Sequence, residues 1–304
     1  MNGSHSGKFR DPALVDFGVG SRGAGRRLER FAGILVDRPL PQTGDRRRLP
    51  GEWRAAQAVF RLPDTGATDA LRGRWEFTGD LPDPWLATVP VGPATLTLEV
   101  HPSPSGQVGI FLEQIDQWGW LRRETPGGSP MLSLFAHSGA ATLAAAAAGA
   151  EVVHVDSSRQ SIALARRNAE ASGLAHLPVS WVCEDATTFV QRCLRRGRRF
   201  SGVILDPPSW GHGPKGESFS LQRDLPSLLG DIARLLDPAT PGPILLTCHS
   251  PGWHPRKLRD TLSAALRAAA VPAADRIESG LLACTDDTGR TIDLGSFARA
   301  APAP

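Results

Sequence analysis

Residues 131–158 read MLSLFAHSGAATLAAAAAGAEVVHVDSS, and this stretch decides the fold class of the chain. It holds a short apolar run, a small-residue segment of helical character and a second apolar run that ends in Asp156. Strand-like and helix-like segments continue to alternate through residues 159–269. Short apolar runs separated by helices of ten or more residues are typical of βαβ units and a parallel sheet. The sequence therefore predicts an α/β domain with five parallel strands, followed by an antiparallel pair within residues 275–298.

The region before this domain differs in composition. Residues 1–50 are rich in Gly, Pro and Arg, with β-like pieces around residues 14–17 and 34–36. Residues 51–100 contain partly alternating apolar segments bounded by turn residues, a pattern typical of strands. We expect a smaller β-rich subdomain over residues 1–105, a candidate for RNA binding, and the α/β domain over residues 106–304.

The overall charge restricts the kind of nucleic-acid surface that the chain can carry. The 304 residues include 34 basic and 31 acidic side chains, which gives a net charge of +3. This excludes a strongly basic surface like that of a histone, so any nucleic acid must bind at local basic patches. Arginine outnumbers lysine 31 to 3, which fits both a GC-rich genome and phosphate binding. The N-terminal candidates for phosphate contacts, with a solvated surface as the alternative, are Arg26, Arg27, Arg30, Arg46, Arg47 and Arg48.

Cysteine usage and the absence of long apolar segments predict the compartment. The four cysteines form no CxxC pair and no cluster with histidine at metal spacing, so reduced thiols are the simplest interpretation. The first residues lack the apolar core of a signal peptide, and the run Ala140–Ala150 is too short to span a bilayer. We expect a cytoplasmic protein with no membrane segment and no metal site.

Open α/β sheets bind ligands at the carboxyl ends of their strands, so the residues that follow each strand are the candidates. Gly139 follows the first strand, with Phe135 and Ser138 beside it. A glycine there lets the backbone approach a ligand, although an ordinary βα turn is an equal alternative. The other two glycines of the dinucleotide fingerprint GxGxxG are absent, which disfavours a nicotinamide cofactor.

Acidic residues follow the second and third strands. Asp156 is able to accept both hydroxyls of a ribose, and Asp185 is able to accept the exocyclic amine of adenine. Each is also a good N-cap for the helix that follows, and Ser157 and Ser158 are equally good caps for the helix after Asp156. The coincidence of Gly139, Asp156 and Asp185 at one predicted sheet edge favours a nucleoside-like ligand.

The fourth strand ends in Asp206-Pro207-Pro208-Ser209-Trp210. Two prolines make a stiff, extended loop, which is useful beside a reactive centre. Trp210 offers a stacking face, with a core tryptophan as the alternative. The following GHGPKGE (211–217) is interpreted as a mobile lid with Lys215 facing a phosphate.

As an ordered set, these motifs resemble the class I S-adenosylmethionine-dependent methyltransferases. The resemblance is closest to the bacterial 23S ribosomal RNA methyltransferases of the large-subunit I and K/L group. It rests on residues 132–158, EDA (184–186), ILDPPSWGHGPKGE (204–217), LLTCHSPGW (245–253), GQVGIFLEQIDQW (106–118), LERF (28–31) and GRTIDLGSFA (289–298). It implies a Rossmann-like seven-stranded methyltransferase sheet and S-adenosyl-L-methionine as the cofactor.

The resemblance also implies roles for individual residues. Phe135, Ser138 and Gly139 would surround the methionine part of the cofactor. The residues that it places at the cofactor as a whole are Gln114, Phe135, Ser138, Gly139, Asp156, Ser157, Asp185 and Ala186. Those that it places beside the transferred methyl group are Asp206, Pro207 and Pro208.

The methylated atom remains open at this point. A nitrogen attacks directly, whereas C5 of cytosine needs a thiolate adduct, for which Cys248 is the candidate and a buried structural thiol the alternative. The sequence predicts a methyltransferase of RNA, most simply of a ribosomal RNA base. The alternatives are a small-molecule or protein acceptor, and a non-catalytic RNA-binding module that retains the fold. The oligomeric state is not predicted.

Overall fold

A computed structural model describes residues 10–20, 23–63, 73–212 and 218–302 of the chain. The backbone divides into two compact units. The first unit holds the residues up to Val89 together with Glu99–Leu112 and Thr285–Thr291. The second holds Pro90–Leu98, Glu113–Cys284 and the residues from Ile292 onward. The domain boundary at residue 105 stays a prediction.

The first unit is built on a five-stranded sheet of order β1-β2-β3-β4-β5. Its elements are β1 (Ala13–Val19), β2 (Gly25–Phe31), β3 (Ile34–Pro39), α1 (Pro50–Arg54), β4 (Ala58–Arg61) and β5 (Arg74–Phe77). All neighbouring strands are antiparallel except β3 and β4. The arginine-rich segment between the predicted strands is itself β2, in which the side chains of Leu28 and Phe31 are fully buried.

One carboxylate organises the interior of the first unit. The Asp16 side chain is fully buried and accepts hydrogen bonds from five donors. These donors are the backbone amides of Phe17, Arg48 and Leu49, the indole of Trp53 and the guanidinium of Arg290. A buried charge is tolerated only when it is paired and hydrogen-bonded, and Asp16 meets both conditions.

A two-stranded hairpin, β6 (Leu86–Val91) and β7 (Ala94–Glu99), contains the points where the chain passes between the units. The chain then enters a 3₁₀ turn at Leu112–Gln114, which leads directly into α2 (Ile115–Glu124).

The second unit contains a seven-stranded mixed sheet. Its strands are β8 (Pro130–Leu134), β9 (Glu151–Asp156), β10 (Val179–Cys183), β11 (Gly202–Leu205), β14 (Ile244–Cys248), β15 (Glu278–Thr285) and β16 (Thr291–Ala300). A separate short pair is β12 (Trp210–His212) and β13 (Ser218–Ser220). Further helices are α3 (Ala140–Ala146), α4 (Arg159–Ala171), α5 (Ala186–Arg195), α6 (Leu221–Leu235) and α7 (Pro255–Ala268).

The sheet order is β10-β9-β8-β11-β14-β16-β15. The first five strands in this order are parallel, and β16 lies antiparallel to β14. This confirms the predicted α/β class with a seven-stranded sheet. The chain order reverses at β8 and β11, so the residues after these two strands lie at the switch point where such sheets bind ligands.

Both faces of the sheet are covered. Leu205 packs into a cluster with α5, α6 and α7, whereas its neighbour Ile204 packs into a second cluster with α2 and α3. Successive residues of a strand point to opposite faces, so continuous apolar runs are required where both faces are buried. In the described ranges, no helix combines the length and the apolar character needed to cross a membrane.

Candidate active site

The loop after β8 is held in an unusual backbone conformation. Phe135, His137 and Gly139 all have positive φ angles, of 53°, 44° and 83°. A left-handed conformation costs a non-glycine residue about 1–2 kcal/mol, so the surrounding contacts must hold this loop in place. At Gly139 a Cβ atom would lie 2.9 Å from the Cβ atom of Ala165. Glycine is therefore needed here for the packing of α4 as well as for its φ angle.

Asp156 supplies the contacts that hold the loop. Its Oδ2 atom accepts the backbone N–H of His137 at 2.9 Å, and its Oδ1 atom accepts that of Ser158 at 2.9 Å. Ser158, and not Asp156 or Ser157, caps α4 by accepting the N–H of Ser161. A carboxylate has about four acceptor positions, so two remain for a ligand.

Asp185 follows β10 and is the N-cap of α5. Its Oδ1 atom accepts the backbone N–H of Thr188 at 2.8 Å, so the capping interpretation of this residue is correct. The next residue, Ala186, is buried as the first residue of the helix. The capping bond uses one oxygen, and the predicted ligand role of the other stays a prediction.

Asp206 lies directly after β11 and is joined to residues from two other segments. The amide nitrogen of Gln114 lies 3.0 Å from Asp206 Oδ2 and 3.2 Å from the hydroxyl of Thr247 on β14. Although 35% of the Asp206 side chain is exposed, its Oδ1 atom is buried and has no hydrogen-bond partner among the described residues. A buried polar atom of this kind calls for an ordered water or a ligand.

His249 completes this cluster and was not among the predicted site residues. Its Nε2 atom lies 3.2 Å from the Gln114 amide nitrogen and 3.6 Å from Asp206 Oδ2. Its Nδ1 atom lies 2.9 Å from the carbonyl oxygen of Leu294 and 3.7 Å from a carboxylate oxygen of the buried Glu113. His249 follows β14 directly, so the rule that selected the other candidates also applies to it.

The charges in the cluster shift one another's protonation. Burial alone would lower the pKa of His249, but the carboxylates of Asp206 and Glu113 outweigh it and raise the pKa to about 9. Burial alone would raise the pKa of Asp206, but the nearby His249 outweighs it and lowers the pKa. At neutral pH the cluster therefore contains an imidazolium and an ionised Asp206 carboxylate.

The residues that follow Asp206, 207–210, differ in their exposure to solvent. Pro207 is buried and Pro208 is exposed, while Ser209 is hydrogen-bonded to Ser250 at 2.6 Å. The Trp210 side chain is 61% exposed, so the core-tryptophan alternative is wrong. Most of the predicted lid, including Lys215, lies outside the described residues.

Cys248 is unlike an activated nucleophile. The residue is fully buried at the end of β14, and burial raises the pKa of its thiol. A reactive cysteine needs a lowered pKa and access to its substrate. The geometry favours the structural thiol that the sequence left as the alternative.

Two further predicted cofactor residues, Phe135 and Ser138, are held by packing and by a backbone hydrogen bond. Phe135 packs its ring against Phe219, with the centroids 5.3 Å apart. Ser138 is buried, and its carbonyl oxygen accepts a hydrogen bond from the Asn168 side chain at 2.8 Å. Contacts therefore link Gln114 with Asp206 and the loop at His137 with Asp156, while Asp185 joins neither group through a described side-chain bond.

The N-terminal arginines differ in whether their side chains make contacts within the first unit or are exposed. Arg26 is paired with Asp37, and the mostly buried Arg30 lies 3.4 Å from Asp287, so these two act within the first unit. Arg27 lies 3.6 Å from buried Glu29, and Arg47 covers the Trp53 ring at 3.6 Å. The side chains left exposed are those of Arg46 and Arg48.

Two comparisons decide the family. The family model described as S-adenosylmethionine-dependent methyltransferase matches residues 85–284. The crystal structure of a SAM-dependent methyltransferase from Agrobacterium tumefaciens is 31% identical in sequence, with a TM-score of 0.82 over 97% of this chain and 91% of that one. The chain belongs to the S-adenosylmethionine-dependent methyltransferases. This confirms the predicted family, fold and cofactor class.

Curated relatives of this methyltransferase have ribosomal RNA in their names. Ribosomal RNA large subunit methyltransferase K of Neisseria meningitidis is 33% identical over 37% of this chain and 32% of its own length. Ribosomal RNA large subunit methyltransferase K/L of a Shewanella species is 34% identical over 36% of this chain and 16% of its own length. The match thus spans a third or less of these relatives.

The residues present fit the cofactor of the methyltransferase family. Asp156 and Asp185 each keep acceptor positions after their backbone bonds, as the two ends of a nucleoside require. The rigid loop 135–139 lies beside Asp156, and Asp206 follows the neighbouring strand β11. These residues lie at or directly after the ends of the neighbouring parallel strands β9, β8 and β11, at the carboxyl edge of the sheet.

Proposed function

We propose that the chain transfers a methyl group from S-adenosyl-L-methionine to a nitrogen atom of an RNA base, in ribosomal RNA. The observation that carries this proposal is the ionised Asp206 carboxylate, which has one unpartnered oxygen among the described residues and lies at the switch point of a methyltransferase sheet. A cytoplasmic location and an RNA-contacting role for the first unit belong to the same proposal.

Asp156 and Asp185 hold the cofactor in this account. Asp156 accepts hydrogen bonds from the ribose hydroxyls, and Asp185 accepts one from the adenine amine. Hydrogen bonds to a charged group contribute about 1.5–3 kcal/mol each. When bound, the cofactor supplies an activated methyl group on a sulfonium sulfur.

Asp206 and its neighbours orient the acceptor. The ionised carboxylate accepts a hydrogen bond from the N–H of the target base, which directs the nitrogen lone pair toward the methyl group. Orientation of this kind supplies about 7–11 kcal/mol of rate acceleration. As the N–C bond forms and the C–S bond breaks, the nitrogen loses a proton, which Asp206 accepts and passes to water.

A carbon acceptor fits the site less well. Methylation at C5 of a pyrimidine needs a thiolate that adds to the ring. Cys248 is buried, and its pKa is raised, so it does not supply that thiolate. We therefore leave Cys248 out of the reaction.

Two features support RNA as the substrate. Exposed Trp210, four residues after Asp206, offers a ring on which a base can stack, worth about 1–3 kcal/mol. The curated relatives with matching sequence are named as ribosomal RNA methyltransferases. Arg46 and Arg48 are the exposed cations that we assign to phosphate contacts.

Calorimetric titration with S-adenosyl-L-methionine tests the cofactor half of the proposal. We expect Asp156→Ala to weaken binding by at least about 10-fold to 150-fold, the range for loss of one of its charge-assisted hydrogen bonds to the ribose. Asp275→Ala is the matched control, because Asp275 is exposed and pairs only with Arg267 among the described contacts. Equal binding by wild type and Asp156→Ala would contradict the assignment.

Transfer of labelled methyl groups tests the acceptor half. The purified protein is incubated with labelled cofactor and, in separate reactions, total RNA, total protein or a small-molecule extract. We expect the label in RNA. Label confined to the protein or small-molecule reaction would replace RNA with the alternative acceptor class.

A further inference from the structure

His249 has the contacts of a residue that serves the reaction and not the fold. Its ring is fixed on one side by the carbonyl oxygen of Leu294, 2.9 Å from Nδ1. Its other side faces Gln114 and Asp206, at 3.2 Å and 3.6 Å from Nε2. The Leu294 contact requires a hydrogen on Nδ1, because a carbonyl oxygen only accepts. The protonation of Nε2 is therefore the variable that remains.

The protonation of His249 Nε2 matters because it decides how the two amide hydrogens of Gln114 are shared. Its amide nitrogen has two hydrogens and lies within 3.2 Å of three atoms, in Asp206, Thr247 and His249. When Nε2 carries a proton, it does not accept, and both amide hydrogens are available to Asp206 and Thr247. When Nε2 loses its proton, its lone pair competes for one of them.

We propose that His249 is a positioning residue for methyl transfer: its imidazolium form, together with Gln114, holds one oxygen of Asp206 so that the other is fixed for the acceptor nitrogen. This inference rests on the proposed function and deepens it. His249 itself touches neither cofactor nor acceptor in this account, and it acts through Asp206.

The surroundings of the ring determine its charge. The charged groups that face it are the carboxylates of Asp206, after β11, and Glu113, ahead of α2. Gln114, Thr247 and the Leu294 carbonyl supply the uncharged contacts of the cluster, and His137 adds a weaker effect on Asp206. With a pKa raised to about 9, the ring is charged at neutral pH and loses its charge as the pH rises through that value.

A purely structural role fits the position poorly. The His249 side chain is 31% exposed, so its truncation leaves no large internal cavity. Buried Glu113, with 3% of its side chain exposed, supplies a second negative charge to the ring. Two carboxylates around one partly exposed imidazole keep it protonated beyond the usual range.

Two variants at the same position separate charge from shape. His249→Asn removes the charge, and His249→Lys keeps a cation that titrates above pH 10. His176→Asn is the matched control, since His176 is exposed in the turn before β10, at the opposite edge of the sheet. Each variant is assayed for kcat and KM of methyl transfer to RNA between pH 6 and pH 10, with cofactor affinity measured by calorimetry.

We expect wild-type kcat to fall on the alkaline side, near pH 9. His249→Asn should lower kcat at pH 7.5 by about 10-fold to 100-fold, the loss of a charge-assisted contact, and should lose the alkaline fall. His249→Lys should retain more activity than His249→Asn and stay level above pH 9, and cofactor affinity should change less than threefold, about the size of a surface contact.

The outcomes are distinguishable. Wild-type protein that binds the cofactor and methylates no RNA overturns the proposed function. An active wild type with a His249→Asn variant of equal kcat and an unchanged pH profile overturns the positioning role alone. Equal losses in both His249 variants with an unchanged profile overturn it as well, because they indicate a requirement for shape.

Discussion

Asp16 in the first unit and Asp206 in the second are both hydrogen-bonded aspartates, and the number of acceptor positions that their bonds fill differs. Both oxygens of Asp16 are saturated, by three backbone amides, one indole and one guanidinium. Asp206 receives its described bonds on Oδ2, while Oδ1 is buried with no described partner. The same functional group is thus used in two ways within one chain.

The difference separates a carboxylate that stabilises from one that reacts. A buried carboxylate with every acceptor position filled cannot accept a hydrogen bond from a substrate. Its removal leaves its buried donors without an acceptor. A carboxylate with an unused oxygen gains its last partner only when a ligand or water arrives. Matched substitutions at these two positions test that distinction directly.

The largest effect is expected at Asp206. Asp206→Asn should reduce methyl transfer by about 10²-fold to 10⁴-fold, the range for loss of a positioned proton acceptor. The melting temperature should change little, because the amide can keep the contacts of one oxygen. Initial rates with labelled cofactor and calorimetric melting of the same preparation measure both quantities. A variant with a much lower melting temperature than wild type would show that Asp206, like Asp16, has a structural role.

The matched change in the first unit is Asp16→Asn. It should destabilise the protein by about 1–3 kcal/mol, because the amide leaves buried donors around Asp16 unsatisfied and Arg290 keeps only Asp286 as a described carboxylate partner. Methyl transfer per folded molecule should stay at the wild-type level below the melting temperature. Thermal unfolding followed by circular dichroism, with the assay repeated on the folded fraction, checks this. A loss of rate without a loss of stability would contradict the structural role.

A smaller effect is expected at Gly139, where packing and ligand binding meet. Gly139→Ala places a methyl group 2.9 Å from Ala165 and strains a backbone with φ of 83°. The cost should be about 1–2 kcal/mol. Because the loop 135–139 also contacts Asp156, part of the cost should be seen as weaker cofactor binding in calorimetry. Gly173→Ala is the control, since a Cβ there meets nothing within 4 Å although φ is also positive.

The smallest effect is expected at the exposed arginines of the first unit. Arg46→Ala and Arg48→Ala should each lower the salt dependence of RNA binding by about one unit of slope, as the loss of one phosphate contact does. Only the backbones of these residues serve Asp16 and Arg290, so stability should not change. Arg74→Ala is the control, because Arg74 is exposed and pairs with Glu76. Binding is measured by fluorescence anisotropy at several salt concentrations.

The sequence was sufficient for the fold of the second unit and for the position of its acidic candidates after the strands, while their roles at the cofactor stay predictions. Strand-like and helix-like segments alternate regularly through residues 131–269, so strand ends follow from local rules, and these placed Asp156, Asp185 and Asp206 at one edge of the sheet. His249 was not predicted, because in a strand that continued past Cys248 its side chain would point to the face opposite that of Cys248. In the structure β14 ends at Cys248, so His249 lies beyond the strand and reaches the cluster.

The first unit was harder to predict because its decisive contacts are remote in sequence. Asp16 and Arg290 are 274 residues apart, and no local pattern indicates their pairing. Arginines such as Arg26 and Arg30 suggested phosphate contacts by composition, yet ion pairs within the unit occupy them. Buried pairing depends on tertiary structure, and a count of basic residues carries no information about it.

The identity of the methylated nucleoside tests the central claim most directly. RNA is methylated with isotopically labelled cofactor by wild type and by Asp206→Asn, digested to nucleosides and analysed by mass spectrometry. We predict one labelled nucleoside with the methyl group on a base nitrogen, formed by wild type and lost with Asp206→Asn. A methyl group on carbon or ribose oxygen, or the same product in equal yield from Asp206→Asn, would contradict the account.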